Sequence, residues 1–290
     1  MENTESIKVK ESSSSNKNKS KYVLEFITEK IFMISAFVAV ISLLLIIGFV
    51  FYKGLMPFVS EGYSFIDFIF GTEWLPSSKE FGIGAMIVTS MVATVGALII
   101  GVPIGILAAI FIAEICPKKY ARVISTAVEL LAGIPSVLYG IFGLAVIVPA
   151  IQTVLSLPKG QSLLAVIIVL SIMMLPTIIS LSETSIRAVP KAYKEGSLAL
   201  GASKIETIFK VTVPAAKSGI LAGVILGIGR ALGETMAVIL VAGNSTAMPT
   251  SLLDSARPLT TNIALEMGYA AGTHQNMLFA TGVVLFLFII

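Results

Sequence analysis

The sequence is poor in the residues from which most active sites are built. It contains one histidine and one cysteine, Cys116, so an internal disulfide is impossible and a transition-metal site has almost no ligands available. No nucleotide-binding loop of the type GxxxxGK[ST] occurs, so the chain cannot be its own ATPase. A paired nucleophile and base is also lacking. We therefore expect no catalytic residue, no bound metal and no directly bound cofactor.

Charge is scarce as well. Charged residues make up 13% of the 290 residues, whereas about 25% is usual for a soluble protein. The net charge of +3 does not indicate nucleic-acid binding, because the basic residues are confined to particular loops. A chain with so little surface charge and 56% hydrophobic residues is expected to lie in a membrane.

The hydrophobic residues form long blocks separated by polar loops. Most blocks exceed the 18 or so residues that are typical of a membrane-spanning helix. The blocks are Ile31–Phe51, Gly84–Ala113, Thr126–Leu155, Leu163–Leu181, Ala215–Ala242 and Met277–Ile290. We predict an all-α polytopic membrane protein with six transmembrane helices. The last block is too short to cross, so it is either re-entrant or, as we expect, truncated where the given sequence stops.

The loops predict the domain organisation and the orientation. Residues 1–22 are polar and are expected to form a disordered cytoplasmic tail. Residues 23–83 hold the first transmembrane helix and an extracytoplasmic loop, and residues 84–290 form the core domain, with a cytoplasmic loop at 183–214. Fifteen Lys and Arg residues then fall on one side of the membrane and four on the other. This asymmetry predicts a multi-pass protein of the cytoplasmic membrane with a cytoplasmic N-terminus.

Glycine and proline interrupt several of the blocks. We expect helix bends that line a substrate path at Pro103, Gly133, Pro135 and Pro176, because interrupted helices open backbone groups toward substrates in transporters. The alternative is close helix packing, for which membrane helices also use these residues.

The cytoplasmic loop contains signals for two short helices. Pro190 suits the first turn of one helix, and Gly201 suits a left-handed cap that ends it. Ser203 and Glu206 have the spacing of a capping box that begins the second helix. Its apolar residues at helical spacing are Ile205, Ile208 and Phe209. This apolar face predicts either a helix resting on lipid or an element that docks to another protein.

The same loop resembles the EAA loop of ABC importer permeases. Glu195, Gly201 and Pro214 match that motif at the right spacing, while Gly196 and Ser197 replace its two alanines. In that family the loop couples the permease to an ATPase subunit. The resemblance thus implies a type I ABC importer permease fold. The implied ATPase-coupling residues are Glu195, Gly201, Ser203, Glu206 and Pro214.

The fifth block carries two charged residues deep in its apolar run. Arg230 lies near its middle, where a cation is most costly, and Glu234 follows four residues later. On a continuous helix both would share one face with Gly219, Gly223 and Gly227. Such a face predicts a helix interface or a pore. Either the charges form a structural ion pair, or Arg230 receives an anion in transit and Glu234 holds it in place between cycles.

Several runs resemble phosphate ABC importer permeases, over about residues 25–290. Residues 229–237 read GRALGETMA, and residues 132–144 read AGIPSVLYGIFGL. The runs FGTEW at 70–74 and LTTNIA at 259–264 are similar to the C-type subunit (PstC) of these importers rather than to its partner. The resemblance implies that Arg230, Glu234 and Thr235 contribute to phosphate translocation by alternating access.

The resemblance also implies partners. A homologous A-type permease (PstA-like) would complete a heterodimer, and two copies of a cytoplasmic ATPase (PstB-like) would bind ATP and magnesium. An extracytoplasmic phosphate-binding protein (PstS-like) would deliver the anion. Three alternatives remain open: a permease for another oxyanion such as molybdate or sulfate, a secondary transporter or channel that works without ATP, and a sensory scaffold.

Overall fold

The chain has a long N-terminal helix followed by a helical core. The computed structural model describes the side chains of Tyr22 and of residues 25–290. Helix α1 has the bounds Glu2–Ser60, and its part Glu25–Ser60 is long and apolar enough to cross a membrane. The side chains of the expected disordered tail (residues 1–22) lie outside the described residues apart from Tyr22, and the disorder of the tail stays a prediction. The chain divides into two units, Met1–Lys53 and Gly54–Ile290.

A small folded loop precedes the second span. Helix α2 (Phe65–Phe70) is capped by Ser64, whose hydroxyl accepts a hydrogen bond from the Asp67 amide at 3.2 Å. A two-stranded antiparallel hairpin follows, with Trp74 opposite Phe81. The strands are β1 (Trp74–Leu75) and β2 (Glu80–Phe81), joined by a 3₁₀ turn at Pro76–Ser78. Both aromatic rings are buried, which anchors the hairpin to an apolar cluster beneath it.

Helices α3 (Gly84–Ile110) and α7 (Leu163–Arg187) form the centre of the core. They approach closely at two glycines of α3. A Cβ at Gly101 would lie 2.8 Å from the Met174 sulfur, and one at Gly105 would lie 2.8 Å from Ile178 Cγ2, so only glycine allows this separation. Pro103 and Pro176 were predicted to bend these helices. Both prolines lie inside helices that continue on either side of them.

The chain between these two helices is interrupted inside the predicted third block (Thr126–Leu155), at Gly133 and Pro135, where bends were predicted. The part Ser136–Val154 is long and apolar enough to cross a membrane. Gly133 ends α4 and Pro135 precedes the next helix, because proline lacks the N–H that would continue the ladder. The break is stabilised by the Tyr139 hydroxyl, which donates to the Leu131 carbonyl at 2.7 Å. The elements are α4 (Lys118–Ala132), α5 (Ser136–Phe142), a π-helical segment (Gly143–Ile147) and α6 (Val148–Val154).

The remaining helices complete the core. After α7 come α8 (Lys191–Ala199), α9 (Lys204–Thr207), a π-helical segment (Ile208–Thr212), α10 (Val213–Ala215), α11 (Lys217–Gly233), α12 (Met236–Val241), α13 (Leu259–Glu266) and α14 (Thr273–Ile289). A further π-helical segment, Phe111–Ile115, extends α3. The predicted fifth span is therefore broken between α11 and α12, and it is bent by 69° from the segment that ends at Ala215.

The span count agrees in part with the sequence. Among the described residues, four helices are long and apolar enough to cross a membrane, or five if the segment Lys204–Ala215 and α11 are one bent span. The predicted sixth span lies in α14, which has 17 residues. The all-α class and the multi-pass organisation are confirmed.

We predict that Gly140→Ala lowers the thermal stability of the purified protein. A Cβ at Gly140 would lie 2.7 Å from Ala237 Cα, which is backbone and cannot move aside as a side chain could. Overpacking of this kind costs about 1–3 kcal/mol. Thermal unfolding in detergent measures the loss. Gly229→Ala is the matched control, because a Cβ there meets no atom within 4 Å; equal stability of the two variants would contradict the prediction.

Candidate translocation and coupling sites

The glycine face of α11 packs against α7. A Cβ at Gly223 would lie 3.1 Å from Leu181 Cβ, and one at Gly227 would lie 3.2 Å from Ile178 Cγ1. Side chains any larger would push the helices apart. The predicted helix interface is therefore present at the glycines, and Arg230 lies one turn beyond it.

Arg230 is half-buried and has a polar contact with α7. Its Nη1 donates to the Thr177 hydroxyl at 3.5 Å, at the limit of hydrogen-bond distance. No ion pair of Arg230 occurs within the part of the chain that the structure describes. A guanidinium has five N–H donors in a planar fork. Most of that donor capacity is therefore available for an anion.

The ion pair between Arg230 and Glu234, one of the two alternatives drawn from the sequence, does not form within the described chain. The i to i+4 argument requires a continuous helix, but α11 ends at Gly233 and Glu234 has an extended backbone (φ −69°, ψ 128°). The Glu234 carboxylate instead accepts a hydrogen bond from the Ala237 amide at 3.1 Å, at the beginning of α12. A carboxylate is favourable there because the first amides of a helix carry partial positive charge.

The segment between α11 and α12 forms an irregular stretch inside an otherwise apolar block. The Glu234 carbonyl accepts a hydrogen bond from the Thr260 hydroxyl of α13 at 3.0 Å. The Thr235 hydroxyl donates to the Gly233 carbonyl at 3.2 Å. These bonds replace part of the interrupted helical ladder. Broken helices of this kind occur at substrate sites in transporters, where irregular backbone lines a cavity.

A second polar cluster was missed in the sequence. The Glu266 carboxylate accepts hydrogen bonds from Arg257 Nη1 at 2.7 Å and from Trp74 Nε1 at 2.8 Å. His274 Nε2 lies 2.8 Å from the same carboxylate and donates to it. Arg257 Nε donates in addition to the Asn244 carbonyl at 2.9 Å. One buried carboxylate thus joins the hairpin, the loop before α13, α13 itself and the beginning of α14.

Only weak sequence signals could have pointed to this cluster. His274 is the one histidine of the sequence, and Glu266 is an acid in an apolar stretch.

Asp254, in the loop before α13, closes a turn by accepting hydrogen bonds from the amides of Thr250 and Ser251, each at 2.8 Å. These amide donors lower the pKa of the Asp254 carboxyl below its ordinary value.

The loop at 183–214 has the predicted capping geometry. Pro190 precedes α8, and Gly201 has φ of 88°, the left-handed conformation that glycine adopts readily. Ser203 and Glu206 form a capping box, with the Ser203 amide donating to the Glu206 carboxylate at 3.1 Å. Hydrogen bonds from Ser203 hold the pKa of Glu206 below its ordinary value. Pro214 lies in α10, just before the chain bends into α11.

The predicted common face of Ile205, Ile208 and Phe209 is wrong. Ile208 is buried in the core, whereas Ile205 and Phe209 are exposed. The regular α-helical spacing also ends at this point, because residues 208–212 form a π-helical segment. Other apolar side chains of the loop are exposed, notably Tyr193, Leu198 and Leu200, the last at 92%.

The chain is similar to a known family of membrane transport proteins. Residues 101–290 match the family described as binding-protein-dependent transport system inner membrane component. The chain is 44% identical over 246 residues to the probable ABC transporter permease protein YqgH of Bacillus subtilis, covering 82% of this chain and 80% of that protein. It is 37% identical over 284 residues to the phosphate transport system permease protein PstC of Mesorhizobium japonicum, covering 90% and 86%.

The chain is a binding-protein-dependent transport permease of the PstC type. The fold agrees: a crystal structure of a bacterial alginate ABC transporter superposes with a TM-score of 0.60 at 19% identity, covering 91% of this chain and 93% of that one. The permease is therefore a multi-pass membrane protein with the type I importer fold. Permeases of this family work with ATPase and binding-protein partners.

We predict that Glu266→Leu strongly destabilises the permease. The substitution leaves the Arg257 guanidinium, whose side chain is 17% exposed, without its carboxylate. Removing one partner of a buried ion pair costs about 3–5 kcal/mol. Thermal unfolding in detergent, with limited proteolysis of the loop at 243–258, measures the effect.

The paired variant R257M/E266L is the control for that prediction. It removes both charges, so it leaves no unpaired guanidinium and should unfold at a higher temperature than Glu266→Leu alone. If Glu266→Leu is as stable as the unaltered permease, the cluster contributes nothing to holding these segments together.

Proposed function

We propose that the permease forms one half of the membrane path of an ATP-driven importer of inorganic phosphate. The observation that carries the proposal is Arg230, a half-buried guanidinium in an apolar block, without a carboxylate partner among the described residues and beside a broken helix. Its paired N–H donors suit a tetrahedral oxyanion. The relatives named PstC, which are phosphate transport permeases by name, support the choice of phosphate.

Glu234 and Thr235 support the path in a way that differs from the sequence-based hypothesis. The Glu234 carboxylate accepts a hydrogen bond from the Ala237 amide at the beginning of α12 and so stabilises the break next to Arg230. Thr235 offers a hydroxyl in the same irregular stretch. Both residues therefore shape the site, while Arg230 supplies the charge. A homologous A-type permease completes the path with further positive groups, because one guanidinium does not neutralise a phosphate dianion.

The energy source lies on partner subunits. Two copies of a cytoplasmic ATPase bind ATP and magnesium, dock on the loop that contains α8 and α9, and drive alternating access. An extracytoplasmic binding protein delivers phosphate on the opposite side. The N-terminus lies in the cytoplasm, in keeping with the excess of Lys and Arg in the loops on that side.

Arg230→Gln is expected to abolish phosphate uptake while the complex still assembles. The substitution removes the charge and keeps a shorter polar side chain, so an effect of about 10²-fold or roughly 3 kcal/mol is expected from losing a charged hydrogen bond to the anion. The measurement is uptake of radiolabelled phosphate by cells depleted of other phosphate importers, at matched membrane abundance.

Two controls accompany that measurement. Arg122→Gln removes an exposed arginine of α4 and should leave uptake unchanged. Competition by sulfate and molybdate tests the alternative substrates. Undiminished uptake by Arg230→Gln would make Arg230 structural, and absence of phosphate uptake by the unaltered permease would reopen the choice of oxyanion.

Leu198→Asp combined with Leu200→Asp is expected to prevent docking of the ATPase. Both side chains are exposed on the cytoplasmic loop, and a carboxylate in an apolar contact is costly to desolvate. Co-purification of the tagged permease with its ATPase subunit measures docking. Leu252→Asp, at an exposed position in the loop after α12, is the control and should leave co-purification intact. Normal recovery of the ATPase with the double variant would contradict docking at this loop.

A further inference from the structure

Helix α8 has few attachments to the core. None of its residues is buried, and its apolar side chains Tyr193 and Leu198 face outward. Ser197 contacts Thr207 of α9 through their hydroxyls at 3.0 Å, which links α8 to the loop itself. Within the described chain, a single ion pair connects α8 to a membrane-spanning segment: Lys194 Nζ pairs with the Glu114 carboxylate.

The ion pair is shielded from solvent. The Lys194 side chain is 24% exposed and that of Glu114 is 11% exposed. Charge pairs that are partly desolvated are screened less by salt than pairs on an open surface. Lys194 therefore holds a defined position, whereas Lys191, on the same helix, is exposed.

Glu114 lies in the π-helical segment at the end of the second span, where other polar contacts converge. Arg187 of α7 donates through Nη2 to the Ile112 carbonyl at 3.1 Å in the same segment. The Nε of Arg187 donates to the Glu183 carboxylate at 2.8 Å, and Glu183 accepts in turn from the Ser125 hydroxyl of α4 at 2.9 Å. Cations are favourable here because the last carbonyls of α3 carry partial negative charge.

These contacts form one connected route. It runs from Lys194 of α8 to Glu114 and along the backbone of the π-helical segment to the Ile112 carbonyl, which binds Arg187 of α7. From Arg187 it continues through Glu183 to Ser125 on α4. Helix α4 leads directly to the break at Gly133–Pro135. A displacement of α8 therefore has a connection, through these polar contacts and a short stretch of backbone, to α3, α7 and α4.

We propose that Lys194 is a positioning residue that couples the ATPase to the membrane path through its ion pair with Glu114. The proposal rests on the proposed function, because it takes the loop that contains α8 as the ATPase docking element. Movement of α8 during the ATPase cycle shifts the end of the second span through this pair. Loss of the pair leaves docking intact, since the outward-facing apolar residues are unchanged, but it separates ATP hydrolysis from transport.

The test uses the complete importer reconstituted in liposomes, with the binding protein and phosphate present. Phosphate uptake and ATP hydrolysis are measured in the same preparation, and the ratio of ATP hydrolysed to phosphate imported is calculated. For K194M and for E114Q we expect this ratio to rise by about fivefold or more, a size typical of coupling between sites. The charge-reversed double variant K194E/E114K should restore part of the coupling, and K191M should behave as the unaltered importer.

Each result distinguishes the two proposals. If the unaltered importer takes up phosphate and K194M keeps its ratio, the coupling role of Lys194 is overturned. A parallel fall in both activities together with loss of the ATPase from the complex would overturn it too, because Lys194 would then serve docking. A K194M/E114Q double variant no worse than either single variant would support action through the pair. Failure of the unaltered importer to take up phosphate would contradict the proposed function instead.

Discussion

The fold depends on the requirement that backbone N–H and C=O groups in hydrocarbon find partners within the protein. Continuous helices meet it along α3 and α7. At the two interruptions other groups must supply the bonds. At the first break the Tyr139 hydroxyl donates a hydrogen bond to the Leu131 carbonyl. At the second, the Thr260 hydroxyl donates to the Glu234 carbonyl, and the Glu234 carboxylate accepts from the Ala237 amide. The Glu234 carboxylate, which the sequence suggested for translocation, is thus partly committed to keeping the second break stable.

Close glycine contacts give the rest of the core its shape. Gly101 and Gly105 bring α3 against α7, and Gly223 and Gly227 bring α11 against the same helix, with Gly105 and Gly227 both next to Ile178. An added Cβ would lie only 2.8–3.2 Å from a neighbouring atom at each of these contacts, so the three helices are packed closely there. Arg230 is positioned by the last of these contacts, one turn before the helix ends. The site is thus defined by packing on one side and by an irregular backbone on the other.

The sequence predicted the features that depend only on residues close together in the chain, such as the spans and the helix caps. Long apolar runs indicated the spans, and Ser203, Glu206 and Gly201 indicated the helix caps, because each signal is complete within a few residues. The contact between Arg230 and Glu234 could not be judged from sequence spacing, because it requires a continuous helix through both residues and α11 ends at Gly233. The cluster around Glu266 was out of reach for another reason: Trp74 lies 192 residues away from Glu266 in sequence, and hydrophobic periodicity carries no information about such a partner.

Three π-helical segments occur in the described chain, at Phe111–Ile115, Gly143–Ile147 and Ile208–Thr212. Each closes its hydrogen bonds over one residue more than an α-helical turn. The extra residue rotates the side chains that follow about the helix axis, compared with a regular α-helix. A surplus residue of this kind can be lost or regained without unfolding the helix around it. The permease therefore holds, in the backbone itself, positions where a single deletion or insertion in evolution would turn a helix face toward a different neighbour while leaving the fold in place.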